Sequence, residues 1–132
     1  MRISAMVLLA GASLAQALPG QQQPLPDSVQ GPQRVGTMSQ LMVHLIYPTS
    51  GAIFYILTRT PTSTAEWNAL EGQALMLAES ANLLMMPSRA RDSDQWIRDA
   101  RLLLDAGEAA LRAAQDRDVE ALDALNDPLY QS

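Results

Sequence analysis

Residues 61–87 read PTSTAEWNALEGQALMLAESANLLMMP, and this stretch decides the fold. Pro61 precedes Thr62-Ser63-Thr64, and Ser63 is followed three residues later by Glu66, the spacing of a capping box. In that motif a hydroxyl and a carboxylate each satisfy a backbone N–H that a first helical turn leaves unpartnered. Trp67, Leu70, Ala74, Leu77, Ala81 and Leu84 then recur at three- to four-residue intervals up to Pro87. That is the period of one helix face, closed by a residue that cannot continue the helix.

The same period extends outward on both sides. A third segment begins near Asp92 or Ser93 and carries Trp96, Ala100, Leu103, Leu104, Gly107, Leu111 and Ala114. A fourth starts near Asp118 with Val119, Leu122, Leu125 and Leu129, and Asn126-Asp127-Pro128 is expected to bend it. Toward the N-terminus, a first segment from about Thr37 to Thr58 is apolar on most sides and reads as a helix buried among others. Pro48 predicts a kink or break near Tyr47, with Thr49 or Ser50 restarting the helix as an N-cap. Strand alternation is almost absent. Helices of this length joined by short polar loops predict an all-α, antiparallel up-down-up-down four-helix bundle over residues 37–132. Ala74, Ala78, Ala81, Gly107, Ala110 and Ala114 fall where helices can approach closely. The apolar pattern is still running at Leu129-Tyr130, with no glycine cap, so the last helix is read as incomplete.

Ahead of the helices, residues 1–17 (MRISAMVLLAGASLAQA) combine a basic start, a short apolar run and an Ala-Gln-Ala cleavage site. This predicts a signal peptide and export, to the periplasm in a Gram-negative cell, with no stable membrane insertion after cleavage. Residues 18–36, rich in proline, glutamine and glycine, read as a flexible leader.

Composition narrows the chemistry. The 132 residues allow one compact domain, and 48% hydrophobic against 17% charged residues is enough for a packed core. All nine basic residues are arginine; against fourteen carboxylates they leave a net charge of -5, which excludes nucleic acid as the main partner. With no cysteine there is no disulfide, thiol nucleophile or thiolate metal site, and a single histidine rules out a histidine cluster. No G-x-S-x-G elbow or glycine-rich phosphate loop occurs, and Glu66, Glu71, Glu79 and Glu108 form no Glu-x-x-His pair, so the chain does not read as an enzyme. Asp92, Asp94 and Asp99 among Arg89, Arg91, Arg98 and Arg101 read as a solvated ion-pair face. Met76, Met85 and Met86 read as packing. His44, with Met42 and Met38 nearby, is either a histidine bonded to a backbone carbonyl or a ligand in a mononuclear metal site.

The order of parts resembles the four-helix c-type cytochromes, the cytochrome c-prime family and its low-spin relatives. The resemblance is carried by Gln40-Leu41-Met42 early on the first helix, by Met42 to Ser50 (MVHLIYPTS), by Leu84 to Arg91 (LMMPSRAR), and by Val119 to Ser132, which looks like the lead-in to the family's haem motif. It covers residues 36–132 and implies haem binding, electron transfer and redox partner proteins. It also implies Met42 as distal iron ligand with His44 second, and Tyr47, Phe54, Leu84 and Leu129 as haem-pocket packing. Homodimerisation through the apolar first helix is common in such bundles. The family attaches haem c through Cys-x-x-Cys-His on the last helix, and this chain contains no such motif. Residues 1–132 therefore cannot attach haem covalently, and the motif is expected beyond Ser132. The rival expectation is a haem-free periplasmic module that binds a partner protein or a small apolar ligand between its helices.

Overall fold

The computed structural model describes residues 31–91 and 94–132. The expected signal peptide and residues 18–30 of the leader lie outside the described residues. Among the described residues all regular structure is helical, arranged in four passages.

The first passage is α1 (Met38–Leu41), a π-helical turn (Met42–Ile46) and α2 (Tyr47–Phe54) in unbroken succession. It opens with a capping box, Thr37 Oγ1 accepting from Gln40 N–H at 3.1 Å and Gln40 Oε1 from Thr37 N–H at 3.0 Å. Pro48 neither breaks the helix nor prompts a new start. A proline has no N–H for the carbonyl four residues back and its ring crowds that carbonyl. Here the preceding turn widens to the i→i−5 pattern, Tyr47 N–H bonding to Met42 O. Thr49 therefore caps nothing: its buried hydroxyl donates backward to Leu45 O at 2.7 Å and Ile46 O at 3.0 Å. The α-helix ends at Phe54, before the expected Thr58, because Tyr55 leaves helical geometry at φ −100° and ψ 20°.

α3 (Thr64–Leu84) starts as its sequence dictates: Ser63 Oγ accepts from Glu66 N–H, and the Glu66 side chain returns to the Ser63 N–H. All six residues of the apolar stripe are buried. At its C-terminal end the Leu84 carbonyl, which has no helical partner, accepts the Trp96 indole N–H at 2.8 Å. α4 (Gln95–Asp116) closes with Arg117 in the left-handed region at φ 55°, while Asp118 N–H reaches Ala113 O and Arg117 N–H reaches Ala114 O. This is a Schellman end with arginine where glycine is usual. Asp118 at once caps α5 (Val119–Asp123), accepting from Ala121 N–H at 2.9 Å. The expected bend in the last passage falls at Ala124-Leu125, and α6 (Asn126–Gln131) takes Pro128 into its first turn. There the missing N–H is one that no helix would use.

α3 and α4 run antiparallel, as three contacts along their length fix: Arg117 Nη2 to Thr64 Oγ1, Gly107 against Ala78, and Trp96 to Leu84. A Cβ built on Gly107 would stand 2.7 Å from both Ala78 Cα and Ala78 N, so the two backbones touch where the sequence placed its small residues. The π turn and α2 lie on α3, α5 and α6 lie on α4, and α2 also meets α5 and α6. Ile53, Ile56, Leu77 and Leu122 are wholly enclosed at the centre.

Three expectations about packing are corrected. The first passage is not buried all round: Met42, Val43, Tyr47, Phe54, Tyr55 and Leu57 are exposed, since neighbouring elements cover only its inward side. Met76 is exposed, whereas Met86 is buried and Met85 half-buried. Of the arginine and aspartate run, Asp92 lies outside the described residues; the others form no ion pair among the described residues, Arg98 and Asp99 binding Gln95 instead. Arg89 leaves that surface altogether and is buried.

Candidate functional site

The π turn decides which side chains of the first passage face inward. In a straight α-helix, at about 100° per residue, Met42 stands within about 20° of Thr49, seven residues on. Thr49, Ile53 and Ile46 are buried, so a straight helix would carry Met42 inside with them. The widened turn sets the chain back by about one residue. Leu41 occupies the inward position, 9% exposed, and Met42 turns out, 44% exposed. Met38, one turn earlier, packs against the core and is the inward-facing thioether of this passage.

The six residues nominated from the sequence are thereby divided. Leu84 and Leu129 are buried in one cluster with Leu41, bordered by Met38, Leu45, Met85, Leu125 and Trp96. Met42 and Tyr47 line a shallow apolar cleft of about 400 Å³ with Val43, Ile46 and Ser50. Tyr47 and Phe54 border a larger groove of about 1180 Å³ between α2, the 55–62 turn and the first half of α3. His44 is exposed, and no side chain hydrogen bond holds it among the described residues. Met42 and His44, two positions apart on one helix, point to different sides and do not converge on one ion. Among the described residues no cluster of His, Cys, Asp or Glu is grouped to hold a metal.

Two charged residues, Arg59 and Glu66, line the groove. The Arg59 guanidinium stacks over the Tyr55 ring, 5.0 Å from its centroid. Also lining the groove, Glu66 accepts from Thr62 N–H at 2.6 Å, Thr62 Oγ1 at 2.8 Å and Ser63 N–H at 3.2 Å. Those bonds, the Thr62 backbone foremost, hold its carboxyl below the usual carboxylate range. The carboxylate is committed to starting α3 and is not poised for proton transfer.

Sequence reasoning named Met38 only as a companion of His44 and missed its inward position, and it set Arg89 on a solvated face where the structure buries it. The helical spacing Met38, Leu41, Leu45 was available as a signal for the first. Nothing in the sequence marked Arg89, which follows a helix end within a polar run. Its Nη1 donates to Gly36 O at 3.3 Å, tying the turn after α3 to the start of the first passage. Comparison with protein-family models, with known proteins and with solved structures returns no match. Fold and site together define an all-helical protein with an apolar core to which all four passages contribute.

Proposed function

We propose that residues 37–132 are the scaffold of an exported c-type cytochrome-like protein, an up-down-up-down four-helix bundle that binds haem and passes electrons to partner proteins in the periplasm. The observation that carries this reading is the burial of Leu41, Leu84 and Leu129 in the apolar core that all four passages build, with Met38 and Trp96 packed against it. Two of these are positions that the cytochrome resemblance assigns to haem packing. The cyclic order of packing, first passage on second, third on fourth and fourth against first, fits that topology.

The residues fit the group in part. Leu41, Leu84 and Leu129 are apolar but enclosed in the core, Met38 packs against it and Met42 is turned outward, so the first passage would have to move for a porphyrin to reach them. Bound haem would supply a one-electron iron couple, and thioether ligation would favour the ferrous state. Met42 stands as distal ligand in this proposal, reached by rotation of the first passage toward straight-helix register. The exposed Val43, Tyr47 and Tyr55 supply an apolar surface for a partner or a second copy.

The test is expression of the native gene, with its continuation past the Ser132 codon, in a host that matures c-type cytochromes. A haem-staining band that survives denaturation is the expected result. A stop codon at that point, or a colourless product, overturns covalent haem attachment. The groove beside Tyr47 and Tyr55 favours the second reading, a haem-free module holding a small apolar ligand.

A further inference from the structure

We propose that the groove between α2, the 55–62 turn and α3 docks a proline-rich segment of a partner protein, and that Arg59 pairs with a carboxylate on that segment. This partner is independent of haem, and it replaces a small molecule as the occupant of the groove.

Gly51 stands where its own fold has no need of glycine. It lies inside α2, where glycine weakens a helix relative to alanine. A Cβ built there meets nothing within 4 Å, so no neighbouring element requires the bare backbone. The space left free belongs to the groove, which Gly51 lines. Tyr47 and Tyr55 line it too, each one helical turn from Gly51, with about 12 Å of helix between them. Two rings with bare backbone between them form a notch, and glycine in a notch admits the close approach of a ligand.

The chain has one phenylalanine, three tyrosines and two tryptophans, and Tyr47, Phe54 and Tyr55 are all exposed on this groove. Aromatic side chains gathered on one surface are the material of binding hot spots. The room, about 1180 Å³, exceeds the roughly 300–1,000 Å³ of pockets that enclose a small molecule. The hydrogen-bonding supply is one-sided. Neither tyrosine hydroxyl has a hydrogen bond among the described residues, and the Arg59 guanidinium meets only the Tyr55 ring. The Glu66 carboxylate, by contrast, already accepts from Thr62 and Ser63, while Ser50 and Thr60 donate back to Tyr47 O and Ile56 O. The groove therefore presents donors on aromatic walls. A proline-rich chain is the complement. It holds an extended helix of about 9 Å per turn, which fits between the two tyrosines, and its rings pack on aromatic faces. Its carbonyls have no internal partners and its prolines bring no N–H. Arg59 is the groove's unengaged charge in a chain of net charge -5, and it selects a carboxylate on the arriving segment.

The experiment titrates the full chain into a fluorescently labelled, capped peptide of consecutive prolines ending in aspartate and follows anisotropy. One control peptide carries lysine for the aspartate; another carries alternating glycine and serine for the prolines. The glycine–serine peptide is expected to bind at least about tenfold more weakly, because its chain must be ordered on docking. The lysine peptide should bind up to about fivefold more weakly, the scale of an exposed ion pair, and Arg59→Gln should abolish that difference. Gly51→Leu puts a good helix former in the notch, so helical content by circular dichroism should hold while affinity falls at least about tenfold. No binding of the proline–aspartate peptide at about 1 mM overturns the proposal. Equal affinity of the glycine–serine peptide overturns the choice of a proline-rich ligand, and binding indifferent to Gly51→Leu overturns the site. Equal affinity of the aspartate and lysine peptides overturns the role of Arg59. A dimer in sedimentation velocity that Gly51→Leu dissolves places a second copy in the groove and overturns the partner. The three peptides are compared on the wild-type chain, so the result decides even where a variant unfolds.

Discussion

Replacing Gly107 by alanine isolates the contact on which α3 and α4 are built. The added methyl would lie 2.7 Å from Ala78 Cα and N and 3.0 Å from Ala78 Cβ. Ordinary carbon contacts are about 3.5–4.0 Å, so the helices must part by about 1 Å. The obstacle is backbone, which cannot swing aside as a side-chain tip would. Overpacking typically costs about 1–3 kcal/mol, and a backbone obstacle belongs at the upper end, about 3 kcal/mol. Alanine regains about 1 kcal/mol of helix propensity over glycine. The net loss is about 2 kcal/mol, or about 10 °C in Tm for a domain of this size. Gly72, inside α3, is the control, since its Cβ would meet nothing within 4 Å. There the same substitution should raise stability by up to about 1 kcal/mol. Urea unfolding followed by far-UV circular dichroism measures both, with m-values compared to exclude changes in the unfolded state. A Gly107→Ala variant as stable as the wild type would refute the close approach.

Pro48→Ala restores the missing N–H and removes the ring, so the π turn should relax toward α-helix; Met42 should then oxidise several-fold more slowly under peroxide while Met38 changes little, by peptide mass spectrometry. An unchanged Met42 rate would mean that Pro48 is not what widens the turn. Arg117→Gly removes the penalty of a side chain at φ 55° and should stabilise by about 1 kcal/mol in a thermal melt, outweighing the exposed bond to Thr64; a lower Tm counts against this account of the helix end. Glu66 has a folded-state pKa below its unfolded value, so its contribution is complete above the ordinary carboxylate range and fades as pH falls through the folded value. Its side-chain carbon should titrate below 4.5 by NMR, and Glu66→Gln should cost stability at pH 7 but little in strong acid; a midpoint at or above the ordinary value contradicts the capping bonds.

How far the sequence could be read depended on whether a feature is local. The Ser63–Glu66 cap lies within four residues, and the Trp67 to Leu84 stripe obeys one period, so both emerged from spacing alone. The alanine and glycine seam was legible because small residues recur on facing stripes. The π turn was not, because Pro48 announces a disturbance without saying whether the helix will kink, stop or widen. That choice reversed the roles of Leu41 and Met42, which is why the nominated Met42 lies outside while Leu84 and Leu129 lie within. Arg89 was illegible for a different reason. Its surroundings in sequence are polar, and its burial depends on Gly36, 53 residues away.

The widened turn also bears on which changes in chain length the protein can absorb. It stores one residue more than a straight helix of the same span requires. Deleting a residue between Met42 and Ile46 would consume that slack and leave α2 and everything after it in place. In α3 or α4 the same deletion would rotate the remainder of the helix by about 100° and carry the alanine seam off its partner. Length variation among chains of this design should therefore gather in the first passage, and each single-residue gain or loss there would exchange which of two neighbouring side chains meets the interior.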